Sequence, residues 1–418
     1  MNATTSPPSL LTDLRALPRT FWILFAGTFI NRFGTFVWPF LTIYLTRQGH
    51  TLVATAWAVS AFGFGAFCGG LLGGWLADHL GRRNTIVLGT FSSAALFMLL
   101  YAASSLPAVI VCAALAGMAN GMYHPAISAL LADIVPEPQR VRAYAAIRLA
   151  VNAGFAFGVC IGGILANYSL FWLFAGDALT TVIYGCIALA WLPHGLRGLT
   201  RQTPWSDALA CLRSDRVFHA LWIASFCGAL VFSQFGSTYS LHIIQRGLTL
   251  DVLGWHLPPE TIYGLLLGWN GVLIVFAELP LTTVTMRFDA RRVMALGYVL
   301  TSVGFAMNAV AHTVFALCIA MTVFTLGEMI GQPTAGAYIA RLAPERMRGR
   351  YMGVLGLSWN GAGILGPQLG FRLFAIDPLL MWLVCGLLGL VAAGVILRTG
   401  RLREEKTDAL AVAAGEAR

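Results

Sequence analysis

Twelve apolar runs, each long enough to cross a lipid bilayer as a helix, constrain this chain more than any other feature. They fall at about 21–46, 52–77, 84–104, 107–131, 143–166 and 169–192, and again at about 217–243, 262–286, 293–311, 313–340, 353–373 and 378–397. A spanning helix needs about 20 apolar residues, and a chain that is 58% hydrophobic has enough for twelve. Only 11% of its residues are charged, against roughly 25% in a soluble domain. The predicted fold class is therefore all-α: a polytopic membrane protein with twelve transmembrane helices. The stretch 194–216 is too polar and basic to span, so it reads as a cytoplasmic linker. It separates an N-terminal tail (1–20) and six-helix half (21–193) from a second half (217–398) and a charged tail (399–418).

The net charge of +9 raises the possibility of nucleic acid, but the placement of the charges points elsewhere. With the N-terminus inside, twenty-two basic residues fall on the cytoplasmic side and only Arg47, Arg246 and Arg372 on the other. That asymmetry is the positive-inside signature, and it predicts a cytoplasmic (inner) membrane protein with both termini in the cytoplasm. Membrane lipid is then the one anionic partner required, with no nucleic acid. The single lysine, Lys406, follows no glycine loop, which excludes a Walker-type ATP site. The eight cysteines are scattered through apolar runs without a CxxC pair, the pattern of small packing residues rather than of disulfides or a metal site. No cleavable signal peptide is expected, because the run from Phe21 is too long and lacks a small-residue cleavage site.

The halves repeat. Shifting the first by 208 residues places Pro125, Pro136, Glu137, Arg140, Arg142, Asn152, Gly158 and Gly162 on identical residues. Their partners are Pro333, Pro344, Glu345, Arg348, Arg350, Asn360, Gly366 and Gly370. A second echo links Arg32-Phe33-Gly34-Thr35 to Gln234-Phe235-Gly236-Ser237. Parallel six-helix repeats are a transporter architecture.

The loop after the second run reads Gly74-Trp75-Leu76-Ala77-Asp78-His79-Leu80-Gly81-Arg82-Arg83. It matches G-x-x-x-D-x-x-G-R-R, so the chain resembles the major facilitator superfamily over nearly its whole length. The resemblance, closest to the twelve-helix drug:proton antiporters, implies two pseudo-symmetric halves working by alternating access. It implies that Asp78 faces the start of helix eleven and helps hold an outward-open state, and that the loop arginine meets an acid at the end of helix four, here Asp133. Gly74, Asp78, Gly81, Arg82, Arg83 and Asp133 form the candidate gate. The competing reading is a loop that only sets topology. In the second half Arg287 replaces the aspartate, while Arg291-Arg292 persists.

Span five carries Asn152, Gly154, Gly158, Val159, Gly162 and Gly163, similar to the family's antiporter motif G-x-x-x-G-P-x-x-G-G with Val159 in place of proline. Span eleven, with Asn360, Gly366, Pro367 and Gly370, restores the proline. Small residues every four positions allow close helix contact, here expected between opposing halves, with generic packing as the alternative. The family's helix-four arginine is missing, Gly117 standing near its place.

Charges are rare inside spans and usually face a bundle interior. Arg32, Arg148, Asp177, Glu278 and Glu328 lie there, one carboxylate more than the arginines balance. A carboxylate in low dielectric without a cation is disfavoured in its charged form, as a proton carrier requires. The resemblance places spans one, four, seven and ten around a cavity. Arg32, Asn31, Asn120, Tyr123, Gln234, Phe235 and Gln332 are thus substrate-cavity candidates, and Glu328, Glu278 and His124 proton-coupling candidates. By the repeat, Glu328 corresponds to Asn120, Arg32 to Gln234 and His124 to Gln332. Against these stand plainer readings: Arg148 snorkelling, Asp177 holding structure, His124 and the aromatics packing.

The function expected is a proton-coupled exporter of drugs or small amphipathic metabolites, acting as a monomer with no cofactor or metal. An importer of a polar nutrient is the alternative. A lipid-modifying membrane enzyme is more remote, since the chain has no DDxxD motif and no paired histidines.

Overall fold

The computed structural model describes residues 17–195, 213, 215–252, 254–342 and 348–413. The tail up to residue 16, most of the 194–216 linker and the repeat partners Pro344 and Glu345 lie outside the described residues. By contacts the chain divides into two compact units, residues 1–40 with 61–200 and residues 41–60 with 201–418. The segment 41–60 is counted with the second unit, where Thr42 donates to the Gly236 carbonyl at 3.4 Å and Ser60 to that of Ile364 at 2.7 Å. In the same unit Arg47 pairs with Glu260.

Nine helices among the described residues are long and apolar enough to cross a membrane, and each of the three remaining runs has its own reason to fall short. Span one is not one helix but two, Arg19–Phe33 and Val37–Arg47. Span nine, Ala290–Ala306, has 17 residues. Span eleven, Arg348–Ile376, is long enough at 29 residues but too polar along its length. The unbroken spans are Leu52–His79, Arg82–Ala102, Leu106–Ile134, Arg140–Tyr168, Leu170–Trp191, Pro259–Thr285, Val314–Leu342 and Pro378–Ala413. Span seven is broken like span one: Arg216–Ser233 and Thr238–Gln245 meet at a 3₁₀ turn over Gln234–Gly236.

Both breaks fall on the four-residue echo. Because a backbone group freed inside a membrane must find a partner in the protein, each unit needs a local answer. In unit one Asp177 of span six supplies it: one carboxylate oxygen accepts from the N–H of Phe36 at 3.1 Å and of Val37 at 2.9 Å. In unit two the answer comes from within the break. The Gln234 amide donates to the Leu230 and Gly366 carbonyls at 3.0 and 3.1 Å, and its oxygen accepts from Ser237 and Thr238 at 3.2 and 3.0 Å.

The glycine motifs serve these broken spans. A Cβ on Gly158 would lie 2.2 Å from the Phe33 carbonyl, and one on Gly162 2.8 Å from the Phe40 ring. Their repeat partners do the same for span seven: Gly366 lies against Ser233, and Gly370 against Gln234 and Thr238. Contact between opposing halves was the expectation; the described contacts of these glycines are instead with the first span of their own half. Asn152 is half-buried on the same helix, Asn360 donates to its own helix at Gly356 (3.1 Å), and Pro367 is buried next to Gly366.

Span two meets span four in the same way. Cβ atoms at Gly65, Gly69 and Gly73 would lie 1.8, 2.0 and 1.9 Å from the carbonyls of Ala114, Met118 and Met122, whereas Gly70 and Gly74 face open space. Gly69→Val must push two backbones apart, so it is expected to cost at least the ~1–3 kcal/mol typical of overpacking and to lower the thermal midpoint in detergent. Gly70→Ala is expected to leave that midpoint unchanged. Equal effects at the two positions would exclude close helix contact as the reason for the glycines.

Candidate substrate and coupling sites

Unit one contains a directional chain of hydrogen bonds between three spans. Asn120 of span four donates to the Tyr123 hydroxyl (3.2 Å), and Tyr123 donates to the Asn31 side-chain oxygen of span one (3.2 Å). Asn31 donates to Thr181 of span six (3.1 Å), and Thr181 donates to the Asp177 carboxylate (3.4 Å). Tyr123, Asn31, Thr181 and Asp177 are all buried. Three of the sequence candidates are thus brought together, with Asp177 as the terminal acceptor and Thr181 as a link that counting only ionisable residues in spans leaves out. Beside the chain, an Arg32 guanidinium nitrogen lies 3.2 Å from the His124 ring nitrogens.

Unit two holds a cavity of about 210 Å³ among spans seven, nine, ten and eleven. Its wall is mostly apolar and aromatic, including Leu221, Phe232, Met294, Tyr298 and Trp359, with Glu328 as the one carboxylate and Gln332 a turn away. The Asn270 amide of span eight donates to Glu328 at 3.0 Å and to Thr325 at 3.0 Å. Asn270 is buried, and its signal in the sequence was available: an amide within an apolar run.

Three candidates stand apart from that cavity. Glu278 lies about two turns beyond Asn270 on span eight, half-buried and not on the cavity wall. Gln234 and Phe235, expected at an opening, are each only 2% exposed. Gln234 is committed to the break in span seven, and Phe235 stacks with Tyr239 and Phe324 at ring distances of 6.3 and 5.5 Å. Their place is in the packed interior, because the break consumes the polar atoms of one and the aromatic cluster the ring of the other.

The loop after span two closes a small charged cluster. Arg82 donates to Asp78 at 2.5 Å and to the Ala77 carbonyl at 2.7 Å, while its Nε lies 3.5 Å from Asp133 at the end of span four. Gly81 has a positive φ of 93° where the chain turns into span three. Two residues that sequence reasoning left in the linker complete the cluster. His194 receives Arg83 at 2.6 Å. Gly195, at φ 74°, sits so close that a Cβ would lie 2.5 Å from the Arg82 side chain and 3.0 Å from Asp133. In the second half, Asp289 caps span nine through the Arg292 N–H at 3.1 Å and lies 3.5 Å from Arg291. Partial burial opposes its charge, but that N–H and Arg291 outweigh it and hold the carboxyl below the ordinary range. Among the described residues no group of three or more His, Cys, Asp or Glu side chains converges as a metal site.

Repeated helical halves, broken first spans and polar side chains buried between membrane helices define a secondary transporter. The Major Facilitator Superfamily model matches residues 24–259 and 252–416, and the chain belongs to that family. It is 31% identical over 362 residues to the MFS-type transporter YttB of Bacillus subtilis, covering 85% of this chain and 88% of that one. It is 27% identical to a Na(+), Li(+), K(+)/H(+) antiporter of Planococcus maritimus, with coverage of 81% and 85%. Against the multidrug resistance protein MdtH of Aeromonas hydrophila it is 28% identical, with coverage of 77% and 79%. The fold matches the crystal structure of a peptide transporter, POT, in complex with sulfate at a TM-score of 0.77 and 17% identity, covering 95% and 99% of the two chains. The protein is thus an integral, multi-pass membrane transporter of small molecules and not an enzyme.

Removing the terminal acceptor of the unit-one chain tests its structural worth. Asp177→Ala leaves the Val37 N–H without its acceptor, a loss of roughly 1–3 kcal/mol, while the Phe36 N–H keeps the Gly34 carbonyl at 2.8 Å. Asp177→Asn keeps an acceptor oxygen and is expected to lose less. Thermal unfolding of the purified variants measures the difference, and equal midpoints for wild type and Asp177→Ala would dismiss the capping role.

Proposed function

We propose that this transporter is a proton-coupled exporter of small amphipathic compounds, preferentially cationic ones. The observation that carries the reading is Glu328, the one carboxylate on a mostly apolar and aromatic cavity wall. Such a wall takes up a hydrophobic body, and its single negative charge selects a cation over an anion. The same carboxylate can hold a proton when no cation is present, so that substrate and proton compete for it; this exclusion is what antiport needs. Asn270 keeps the carboxylate turned to one side by donating to it. The multidrug name of the MdtH relative supports the substrate class, and the glycine motif of spans five and eleven supports antiport.

The excess of arginine on one side of the spans supports an inner-membrane placement with both termini in the cytoplasm. On that side, Arg82 with Asp78 and Asp133 acts as the element that holds one end state. The protein is expected to work as a monomer within its lipid. Exchange of a monovalent cation for a proton at Glu328 is the second reading, favoured by the Planococcus antiporter.

Everted membrane vesicles supplied from outside with a panel of cationic dyes provide the test, with and without a proton gradient. Glu328→Gln mimics the protonated side chain, the form that excludes a cation, so gradient-driven accumulation of the cationic dyes is expected to vanish and their binding to weaken, while an uncharged amphipathic compound still binds. Full accumulation by Glu328→Gln rejects the mechanism; dye-independent proton release by sodium or potassium supports the cation reading. Asp78→Asn is expected to reach the membrane normally but to turn over slowly, with altered labelling of engineered cysteines from the two sides. Wild-type turnover and labelling would leave the loop a topological role only.

A further inference from the structure

Between spans seven and eight the chain forms a two-stranded hairpin, β1 Leu250–Val252 and β2 Trp255–Leu257, paired Leu250 with Leu257, Asp251 with His256 and Val252 with Trp255. Directly paired residues share a face of such a ribbon, and successive residues alternate between faces. One face is therefore Leu250, Val252, Trp255 and Leu257, wholly apolar; the other is Asp251 and His256. The polar face completes itself, His256 meeting Asp251 at 2.8 Å with both side chains well exposed. Among the described residues little covers the apolar face: Trp255 is 73% exposed, Val252 42% and Leu250 37%, with only Leu257 half-buried.

What covers that face follows from where the hairpin is tied. The helical part of span seven ends at Gln245, and span eight begins at Pro259, two residues after Leu257. Two spanning helices thus hold the ribbon at the membrane surface on short tethers. The lipid surface that bathes the outer faces of those spans, where Leu265 of span eight is exposed, continues up to it. A tryptophan flanked by aliphatic residues suits the headgroup boundary, where one end of the indole is apolar and the other wet. We propose that the hairpin lies on the bilayer as an interfacial anchor, with the Leu250, Val252, Trp255 and Leu257 face in the lipid and the Asp251–His256 face in water. The anchor adjoins Glu260, the residue that holds Arg47, and so fixes the start of span eight against the lipid surface.

Photo-crosslinking tests this directly in the full-length protein, reconstituted into vesicles of phosphatidylethanolamine and phosphatidylglycerol. A benzophenone amino acid replaces Val252, Trp255 or His256 in three separate variants, each checked for monodisperse behaviour before irradiation. Mass spectrometry is expected to find lipid adducts from positions 252 and 255 and none above background from 256. Adducts joining two copies of the chain at 252 and 255 would overturn the proposal in favour of a protein interface. Lipid adducts equal at all three positions, or absent from 252 and 255, would overturn it as well.

Discussion

A backbone N–H or C=O left without a partner in hydrocarbon costs several kcal/mol, and spans one and seven both interrupt their helices. Much of the internal polar architecture answers that constraint. In unit one the answer is Asp177, brought from another span to accept two N–H groups. In unit two it is Gln234, which uses both ends of its amide. The glycines of spans five and eleven then bring a helix against each break, close enough that a Cβ would collide. The repeat in the sequence is therefore a repeat of a mechanical element: a kinked first span lying on a small-residue surface.

The breaks lie beside polar side chains buried between the spans. The chain from Asn120 through Tyr123, Asn31 and Thr181 ends at the carboxylate that caps the break. In unit one the sequence-predicted cavity residues and the group that caps the break thus share one chain of hydrogen bonds. Unit two separates the two roles. Gln234 is spent on the break, and Glu328 faces a cavity with Asn270 as its donor. Equivalent positions in the repeat have diverged, Asn120 to a link in a chain and Glu328 to a carboxylate on a mostly apolar wall.

The loops show the same divergence. After span two, Arg82 joins acids from the ends of two spans, and Gly195 leaves room for it. The matching loop of the second half keeps its arginines, but Asp289 caps its own helix and holds Arg291 locally. One half therefore has a charged link between helices, the other a self-contained turn.

The spans, the repeat and the loop motif were legible in the sequence because each is local or periodic: hydrophobic length, fixed spacing, a short run of residues. The family follows from them. The Arg82–Asp133 pair was legible too, though only through resemblance. Other features needed the tertiary structure. Gln234 looked like a cavity residue and is a buried brace, since an intraspan amide reads the same whether its partners are water, ligand or a broken helix. Asn270, Thr181 and Gly195 drew no attention, because uncharged polar residues and single glycines are common in spans and turns. The glycine motifs announced close contact without naming the neighbour. Which helix approaches, and which hydrogen-bond partner arrives from a hundred residues away, is set by packing in three dimensions, a quantity that no local pattern contains.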